Sequence, residues 1–313
     1  MELTTSKKNS IIGHSIALVV GVALMIIASF YDRKISQAVG DQRSFFGQQF
    51  AVIAEYPAYF AVPIAGVIIF YNYDVLDSKK AKIGIMIAGA LVIWLGWLMF
   101  GLNAQKMTEL AVVPTEQEHN VLWAIFKAFF YGAFTLGIGY FLPRDTMHRL
   151  LKWAVFSLVF VIVALVVMRV MKVLWCRMRY RDMLKEGSFD GFSNWWQLMI
   201  GREKLDPSYK YTSFPSGHSS SITHLCLLWV LCDILPSLKS RKWVKPTVYA
   251  VSIILIGLTM YSRIVNCAHF LSDTVAGVYI TYAIFFVLKK VFFAKDKYTY
   301  AISDRALSQE EVK

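Results

Sequence analysis

The apolar residues of this chain fall in long blocks, and this pattern limits its possible folds more than any other feature. Of its 313 residues, 57% are hydrophobic and 17% charged, whereas a soluble domain carries about 25% charged residues. A block of about 20 apolar residues can cross a bilayer as a helix, because a helix satisfies its own backbone hydrogen bonds. The sequence therefore predicts an all-α, polytopic membrane helix bundle.

Eight segments are predicted to span the membrane: 11–30, 51–71, 82–101, 121–142, 151–171, 219–236, 246–264 and 268–293. The first is long for a secretory signal, and no small-residue cleavage site follows it, so we expect an uncleaved helix. We divide the chain into N-terminal helices with the start of a core (1–110), a transmembrane core (111–295) and a polar cytoplasmic tail (296–313).

The positions of Lys and Arg predict an orientation, because cytoplasmic loops carry an excess of positive charge. With the N-terminus inside, the inside loops hold basic clusters at 79–82, 144–152 and 239–245. Both termini are then cytoplasmic, and the basic loop 172–218 lies outside. The preference of basic residues for cytoplasmic loops therefore does not explain the charge of this loop. We discount nucleic acid as the reason for the net charge of +12, since the basic residues lie mainly between apolar blocks.

The loop 172–218 begins with the sequence KVLWCRMR. Lys172 and Arg179 are seven residues apart, so on one helix they would point the same way, two turns apart. Two cations at a membrane surface are costly unless they are solvated or paired with an anion. Snorkelling of each side chain toward the interface is the simpler alternative for either one alone.

The same loop ends with Pro215-Ser216-Gly217-His218. Gly217 would let the backbone approach a bound group, and a helix that begins here would direct its N–H groups at an anion. His218 can transfer a proton near neutral pH. An ordinary N-cap is an equally good interpretation of this segment alone.

The next loop on the same predicted side reads SRIVNCAHFLSD, in which Arg263 adds a third cation. His269 and Asp273 are four residues apart, on one helical face, where a carboxylate can fix the imidazole tautomer and leave its other nitrogen basic. A solitary pair of this kind is more often structural. Ser262, seven residues before His269, is predicted on the same face.

Together these residues supply cations, backbone donors, two histidines and an orienting carboxylate, a set that favours phosphoryl transfer without a metal. No acidic cluster suggests magnesium and no His/Cys spacing suggests zinc, so we expect no cofactor. Among the four cysteines, Cys226 and Cys232 are predicted to pack within an apolar block. A disulfide between Cys176 and Cys267 has no support from their spacing.

The three motifs resemble those of the type 2 phosphatidic acid phosphatase superfamily, which includes vanadium haloperoxidases and bacterial acid phosphatases. The family patterns K-x6-R-P, P-S-G-H and S-R-x5-H-x3-D correspond here to residues 172–180, 215–218 and 262–273, in family order. Tyr180 stands where the family usually has a proline, which shapes the backbone after the arginine.

The resemblance implies that His269 attacks phosphorus to form a phosphohistidine, that Asp273 orients it, and that His218 protonates the leaving oxygen. It implies a second set of residues that bind or support the phosphoryl group: Lys172, Arg179, Ser216, Gly217 and Arg263, with Ser262 and Pro215 in support. It also implies a six-helix phosphatase core made of the last six spans, which leaves two extra N-terminal helices.

The leading hypothesis is a metal-independent phosphatase of the cell membrane that acts on a lipid phosphate or isoprenoid diphosphate at the outer face. The resemblance suggests undecaprenyl diphosphate, phosphatidate or phosphatidylglycerol phosphate as substrate, with membrane lipids as the other partners. The alternative is a lipid phosphotransferase, in which an alcohol replaces water. A transporter is a remote third hypothesis, since it would spread charged residues through the spans.

Several residues outside the motifs also carry predictions. The aromatic residues of segment 187–201 are predicted at the bilayer interface, either guiding a lipid to the site or anchoring the loop: Phe189, Phe192, Trp195 and Trp196. Lys127 could line a headgroup cavity, but packing or snorkelling is the simpler interpretation. The remaining histidines are predicted as surface or packing residues: His14, His119, His148 and His224.

Overall fold

The computed structural model describes residues 5–108, 121–198 and 209–293. Its α-helices are α1 (Thr5–Val39), α2 (Phe45–Ile53), α3 (Tyr56–Tyr71), α4 (Lys79–Thr108), α5 (Val121–Tyr140), α6 (Arg144–Trp175), α7 (Tyr180–Glu186), α8 (Gly217–Thr223), α9 (Cys226–Ile234), α10 (Pro236–Lys239), α11 (Val244–Val265) and α12 (Leu271–Phe293). Two 3₁₀ turns accompany them, and the described ranges contain no strand. The predicted all-α class is confirmed.

Seven helical stretches among the described residues are long and apolar enough to cross a membrane: Ile12–Val39, Phe45–Tyr71, Lys79–Leu102, Val121–Tyr140, Arg144–Glu186, Val244–Val265 and Leu271–Phe293. Each overlaps one of the eight predicted spans, which confirms the polytopic helix bundle. The predicted tail, 296–313, lies outside the described residues, and the division near residue 110 stays a prediction.

The predicted span 219–236 is the exception, since the structure divides it into two short helices, α8 and α9. At the junction the N–H of Leu225 donates to the carbonyl of Ile222 at 3.0 Å, a 3₁₀-type contact that tightens the turn. Three consecutive serines, 219–221, precede this turn. Serine hydroxyls bond to nearby backbone groups and so compete with helical hydrogen bonds.

The described residues group into two compact units. The first draws on residues 5–51, 166–198, 209–220 and 256–280, and the second on residues 52–108, 121–165, 221–255 and 281–293. In the second unit α3 and α4 pack so closely that a Cβ added to Gly89 would lie 2.6 Å from the backbone nitrogen of Phe70. Buried aromatic side chains fill the core of this unit, including Phe156, Phe160 and Trp229.

Helix α5 exposes large apolar side chains that a soluble protein would bury. Leu122, Phe126, Phe130 and Phe134 are each more than half exposed. Exposed apolar surface of this extent is unfavourable in water but suits contact with lipid tails. This surface therefore agrees with the assignment of α5 as a membrane span.

Candidate active site

All three motifs lie in the first unit. The first motif spans the end of α6 and the residues that follow it, the second precedes and begins α8, and the third connects α11 to α12. The predicted site residues are thus at helix ends and in the segments that join them. We describe this set of residues as the candidate site.

The first motif does not form the single helix that the spacing of Lys172 and Arg179 predicts. Helix α6 ends at Trp175, Cys176 adopts a left-handed backbone conformation with φ of 47°, and Arg179 is extended, so Lys172 and Arg179 do not share a helical face. Both side chains nevertheless reach Thr212. The Nζ of Lys172 donates to its carbonyl at 2.6 Å, and Nη2 of Arg179 donates to the carbonyl at 3.2 Å and to Oγ1 at 3.1 Å.

The second motif rests directly on the start of α12. Helix α8 begins at Gly217, as predicted, and Ser216 donates its N–H to the carbonyl of Asp273 at 2.9 Å. The approach is close enough that a Cβ added to Gly277 would lie 2.4 Å from the carbonyl oxygen of Ser216. The Oγ of Ser216 accepts a hydrogen bond from Oγ of Ser219 at 3.1 Å. Contacts with α12 therefore fix the backbone of this motif.

His269 lies in the segment between α11 and α12, two residues before α12 begins at Leu271. It is therefore not on the helical face that the spacing predicts. Its Nδ1 is 3.6 Å from Oδ2 of Asp273, slightly longer than a hydrogen bond. Its Nε2 is 3.3 Å from Nη1 of Arg179. The rings of His218 and His269 have centroids 6.4 Å apart. The structure thus brings together the two imidazoles, the carboxylate of Asp273 and the guanidinium of Arg179, on which the predicted chemistry depends.

The carboxylate of Asp273 is buried and fully engaged. Oδ2 accepts hydrogen bonds from Oγ of Ser213 at 2.6 Å and from the N–H of Phe270 at 2.9 Å, while Oδ1 accepts one from Nη1 of Arg177 at 2.6 Å. These donors come from different segments and fix the plane of the carboxylate. The plane in turn directs Oδ2 toward His269.

Two charged residues of this network were missed by the sequence reasoning. Arg177 is completely buried, and besides Asp273 it donates from Nη2 to Oδ2 of Asp32 at 3.0 Å and from Nε to the carbonyl of Ser193 at 2.9 Å. Asp32, in α1, is 3% exposed. A lone acidic residue beside the first apolar block is the signal that could have identified it.

Arg263 reaches the site from the last turn of α11 and is buried. Its Nη1 donates to the carbonyl of Gly47 at 3.3 Å, and the amide oxygen of Asn266, in the orientation that satisfies both groups, accepts from Nη2 at 2.8 Å. Ser262, by contrast, donates its hydroxyl to the carbonyl of Thr259 within α11 at 2.7 Å. The prediction that Ser262 shares a face with His269 is wrong, because α11 ends at Val265 between them.

Burial and neighbouring cations lower the pKa of both histidines well below 6.5. For His218 burial is the largest cause, followed by the positive charge of Arg263, by His269 when that ring is protonated, and by the charges of Arg179 and Lys172. For His269 burial again comes first; Asp273 raises its pKa, but Arg179 and Lys172 lower it. Both imidazoles are therefore neutral at neutral pH when no anion is bound.

The four cysteines are free thiols, so Cys176 and Cys267 form no disulfide. Burial raises the pKa of Cys267 to about 11, which keeps this thiol protonated. Within the described ranges no group of three or more His, Cys, Asp or Glu side chains is placed to hold a metal ion.

The aromatic residues predicted at the bilayer interface divide into two groups. Phe189 and Phe192 are half-buried and pack against Tyr180 and Phe270, with ring centroids 6.0 and 5.4 Å apart respectively. Both rings therefore support a buried cluster, and their position at the interface stays a prediction. Trp196 is 49% exposed and keeps its interfacial interpretation.

The other residues singled out in the sequence are not part of the three motifs. Nζ of Lys127 lies 5.5 Å from the ring centroid of Trp123, in agreement with packing. His224 is buried with its ring centroid 4.4 Å from that of Phe160, and His148 bonds to Asp74 at 3.1 Å. His14 is exposed, and His119 lies outside the described residues.

A protein-family model described as the PAP2 superfamily matches residues 151–297 of the chain. The matched stretch contains all three motifs and begins within α6, so that α1 lies outside it. No curated protein and no solved structure matches the chain.

Proposed function

Residues 151–297 make this chain a member of the PAP2 superfamily, and from that premise we propose that it is a membrane phosphatase for a lipid phosphate or isoprenoid diphosphate. Membership supports phosphatase- or phosphotransferase-type activity on phosphate esters. The lipid substrate, the phosphohistidine and the outward orientation belong to the proposal. The observation that carries it is the position of His269, between the carboxylate of Asp273 and the guanidinium of Arg179.

The two nitrogens of His269 face groups of opposite charge, which favours a single tautomer. A proton on Nδ1 suits the carboxylate of Asp273, whereas a lone pair on Nε2 accepts from Arg179. Nε2 is therefore the nucleophile, and Arg179, Lys172 and Arg263 are the cations that bind the phosphoryl oxygens. A phosphoryl group bound by Arg179 would lie beside the attacking nitrogen, as proximity requires.

In the proposed reaction Nε2 forms a bond to phosphorus while the bond from phosphorus to the leaving oxygen breaks. His218 gives its proton to that oxygen, and then takes a proton from the water that attacks the phosphohistidine. The nitrogen–phosphorus bond breaks, phosphate leaves, and His269 is neutral again. His218 is neutral in the free enzyme and takes up this proton from solvent when the substrate binds, because the negative charge of the phosphate offsets the cations that lower the pKa of this histidine.

A lipid substrate is supported by where the site lies along the chain. The candidate site residues are at the ends of α6 and α11 and at the start of α12, helices that are long and apolar enough to span a membrane. A phosphate held at such helix ends would keep its alkyl chain at the depth of the bilayer. The outer face is proposed from the distribution of Lys and Arg between the spans.

The proposal is tested by phosphate release from purified protein in detergent micelles. We expect free phosphate from a lipid phosphate or an isoprenoid diphosphate, and the same rate in EDTA, because no step uses a metal. A labelled alcohol acceptor separates hydrolysis from the phosphotransferase alternative, which would yield labelled phospholipid without free phosphate. Activity that EDTA abolishes and magnesium restores would contradict the proposal.

We expect the acid limb of kcat/KM to lie below pH 6.5, the ordinary value for histidine. His269 must be neutral to attack, and its pKa is lowered by burial and by Arg179 and Lys172, so it keeps its lone pair in mildly acidic solution. The pH dependence of kcat/KM reports the ionisation of the free enzyme, once that of the substrate is measured separately. An acid limb at or above pH 6.5 would contradict the neutral nucleophile.

A further inference from the structure

Helix α1 lies outside the stretch that the family model matches, yet it contributes a buried carboxylate to the network behind His269. We propose that Asp32 is a positioning residue for the phosphoryl transfer: through Arg177 and Ser272 it holds the Asp273 carboxylate that orients His269. This inference rests on the proposed function. It gives a role to one of the two N-terminal helices that the motifs leave unexplained.

Both carboxylate oxygens of Asp32 accept hydrogen bonds. Oδ1 accepts the N–H of Ser272 at 2.9 Å, while Oδ2 accepts Nη2 of Arg177 at 3.0 Å and also the hydroxyl of Ser272. The hydroxyl oxygen of Ser272 accepts Nη1 of Arg177 at 2.7 Å. Asp32, Arg177 and Ser272 thus form a closed ring of hydrogen bonds, in which no member can turn without breaking a bond.

Arg177 connects this ring to the candidate nucleophile. The same Nη1 that bonds to Ser272 donates to Oδ1 of Asp273 at 2.6 Å, and the other oxygen of Asp273 faces Nδ1 of His269. The position of the guanidinium therefore sets the position of the carboxylate. Because Asp32 holds the guanidinium from the opposite side, a change at Asp32 is transmitted to His269 through two intervening side chains.

The charges of the network give Asp32 a second effect. Asp32, Arg177 and Asp273 are all buried, so solvent screens them little. If Asp32 were absent, the positive charge of Arg177 would cancel most of the negative charge of Asp273. The second carboxylate leaves the three groups with a net negative charge, which stabilises the positive imidazole ring that develops as Nε2 attacks phosphorus.

Helix α1 is also attached to the helix that carries Asp273. The hydroxyl of Tyr279 in α12 donates to the carbonyl of Ala17 in α1 at 2.6 Å. A Cβ added to Gly21 would lie 2.4 Å from the ring of Tyr279, so the two helices are in close contact here. This attachment fixes α1 about four turns from Asp32 and keeps the carboxylate in register with α12.

The test is Asp32→Asn, which keeps the shape of the side chain and removes its charge. We expect the rate of phosphoenzyme formation, measured by rapid quench, to fall about 10- to 100-fold, the scale found for residues that orient metal-bound histidines. Inhibition by inorganic phosphate should not change, because Lys172, Arg179 and Arg263 bind that anion. Asp145→Asn, which affects an exposed pair with Arg149, is the matched control and should leave the rate unchanged.

The split between rate and phosphate affinity separates positioning from general damage. Asp32→Asn with the wild-type rate, or with equal losses in rate and phosphate affinity, would overturn the inference. If this variant does not fold, Ser272→Ala decides, since it removes one hydroxyl of the ring without removing a charge. Ser272→Ala with the wild-type rate of phosphoenzyme formation would overturn the inference as well.

A parallel measurement on His269→Ala keeps this test separate from the proposed function. Phosphate release that survives in His269→Ala would refute the covalent reaction itself. An inactive His269→Ala beside a fully active Asp32→Asn would refute only the role of Asp32.

Discussion

His269→Ala is expected to abolish the phosphoenzyme and to lower turnover by about 10⁴-fold or more, the scale seen when a nucleophile is removed. The expectation rests on the geometry of the imidazole, whose Nε2 lies 3.3 Å from Arg179 while Nδ1 faces Asp273. Without the ring, the proposed reaction loses the nitrogen that attacks phosphorus. Acid-labile label trapped from a radioactive lipid phosphate measures the phosphoenzyme directly.

The control for this prediction is His148→Ala. His148 is partly exposed and bonds to Asp74, in the second unit, and the proposed reaction does not use it. We expect wild-type turnover for this variant and an unchanged unfolding temperature for His269→Ala. Substantial phosphate release by folded His269→Ala would exclude the covalent route, and a phosphoenzyme in that variant would place the nucleophile elsewhere.

The spans and the composition of the candidate site could be predicted because their signals are local. A transmembrane helix is specified by about 20 consecutive residues, and each motif lies within a short stretch of sequence. Seven helical stretches follow the predicted apolar blocks, and the chain brings Lys172, Arg179, His218 and His269 into one unit. The family match over residues 151–297 confirms the resemblance that these motifs indicated.

The local geometry of the site was harder to predict, because helical spacing applies only within a helix. The first and third motifs continue past the ends of α6 and α11. Cys176 and Cys267 both adopt left-handed conformations, with φ of 47° and 53°, beside the residues that the spacing placed on helices. Non-glycine residues rarely take this conformation, and no local signal in the sequence indicates it. Arg179 and His269 consequently reach the site from segments that lie outside the helices.

The pairing of the buried charges behind His269 could not be predicted from a single sequence. Asp32 and Arg177 are 145 residues apart in the chain, and their pairing depends on how α1 packs. In the sequence Arg177 is one of several basic residues at the end of α6, and snorkelling explains such residues well. Only burial distinguishes it, since its side chain is completely inaccessible.

Arg177→Met is expected to be the most destabilising substitution in the first unit. Arg177 is the cation between two buried carboxylates, Asp32 at 3.0 Å and Asp273 at 2.6 Å, and its removal leaves both uncompensated. Breaking a buried ion pair in this way costs about 3–5 kcal/mol. The control is Arg149→Met in α6, which breaks an exposed pair with Asp145 and should cost at most about 1 kcal/mol. Thermal unfolding of the purified variants in detergent measures the difference.

The cause of this loss can be isolated by adding Asp32→Asn to Arg177→Met. If uncompensated charge is responsible, the double variant should unfold at a higher temperature than Arg177→Met alone, because one of the two unpaired carboxylates is then neutral. If lost packing of the arginine side chain is responsible, Asp32→Asn should add its own cost instead. An Arg177→Met variant that unfolds at the wild-type temperature would show that the two carboxylates do not depend on this cation. The argument that Asp32 and Arg177 hold Asp273 against His269 would then fail as well.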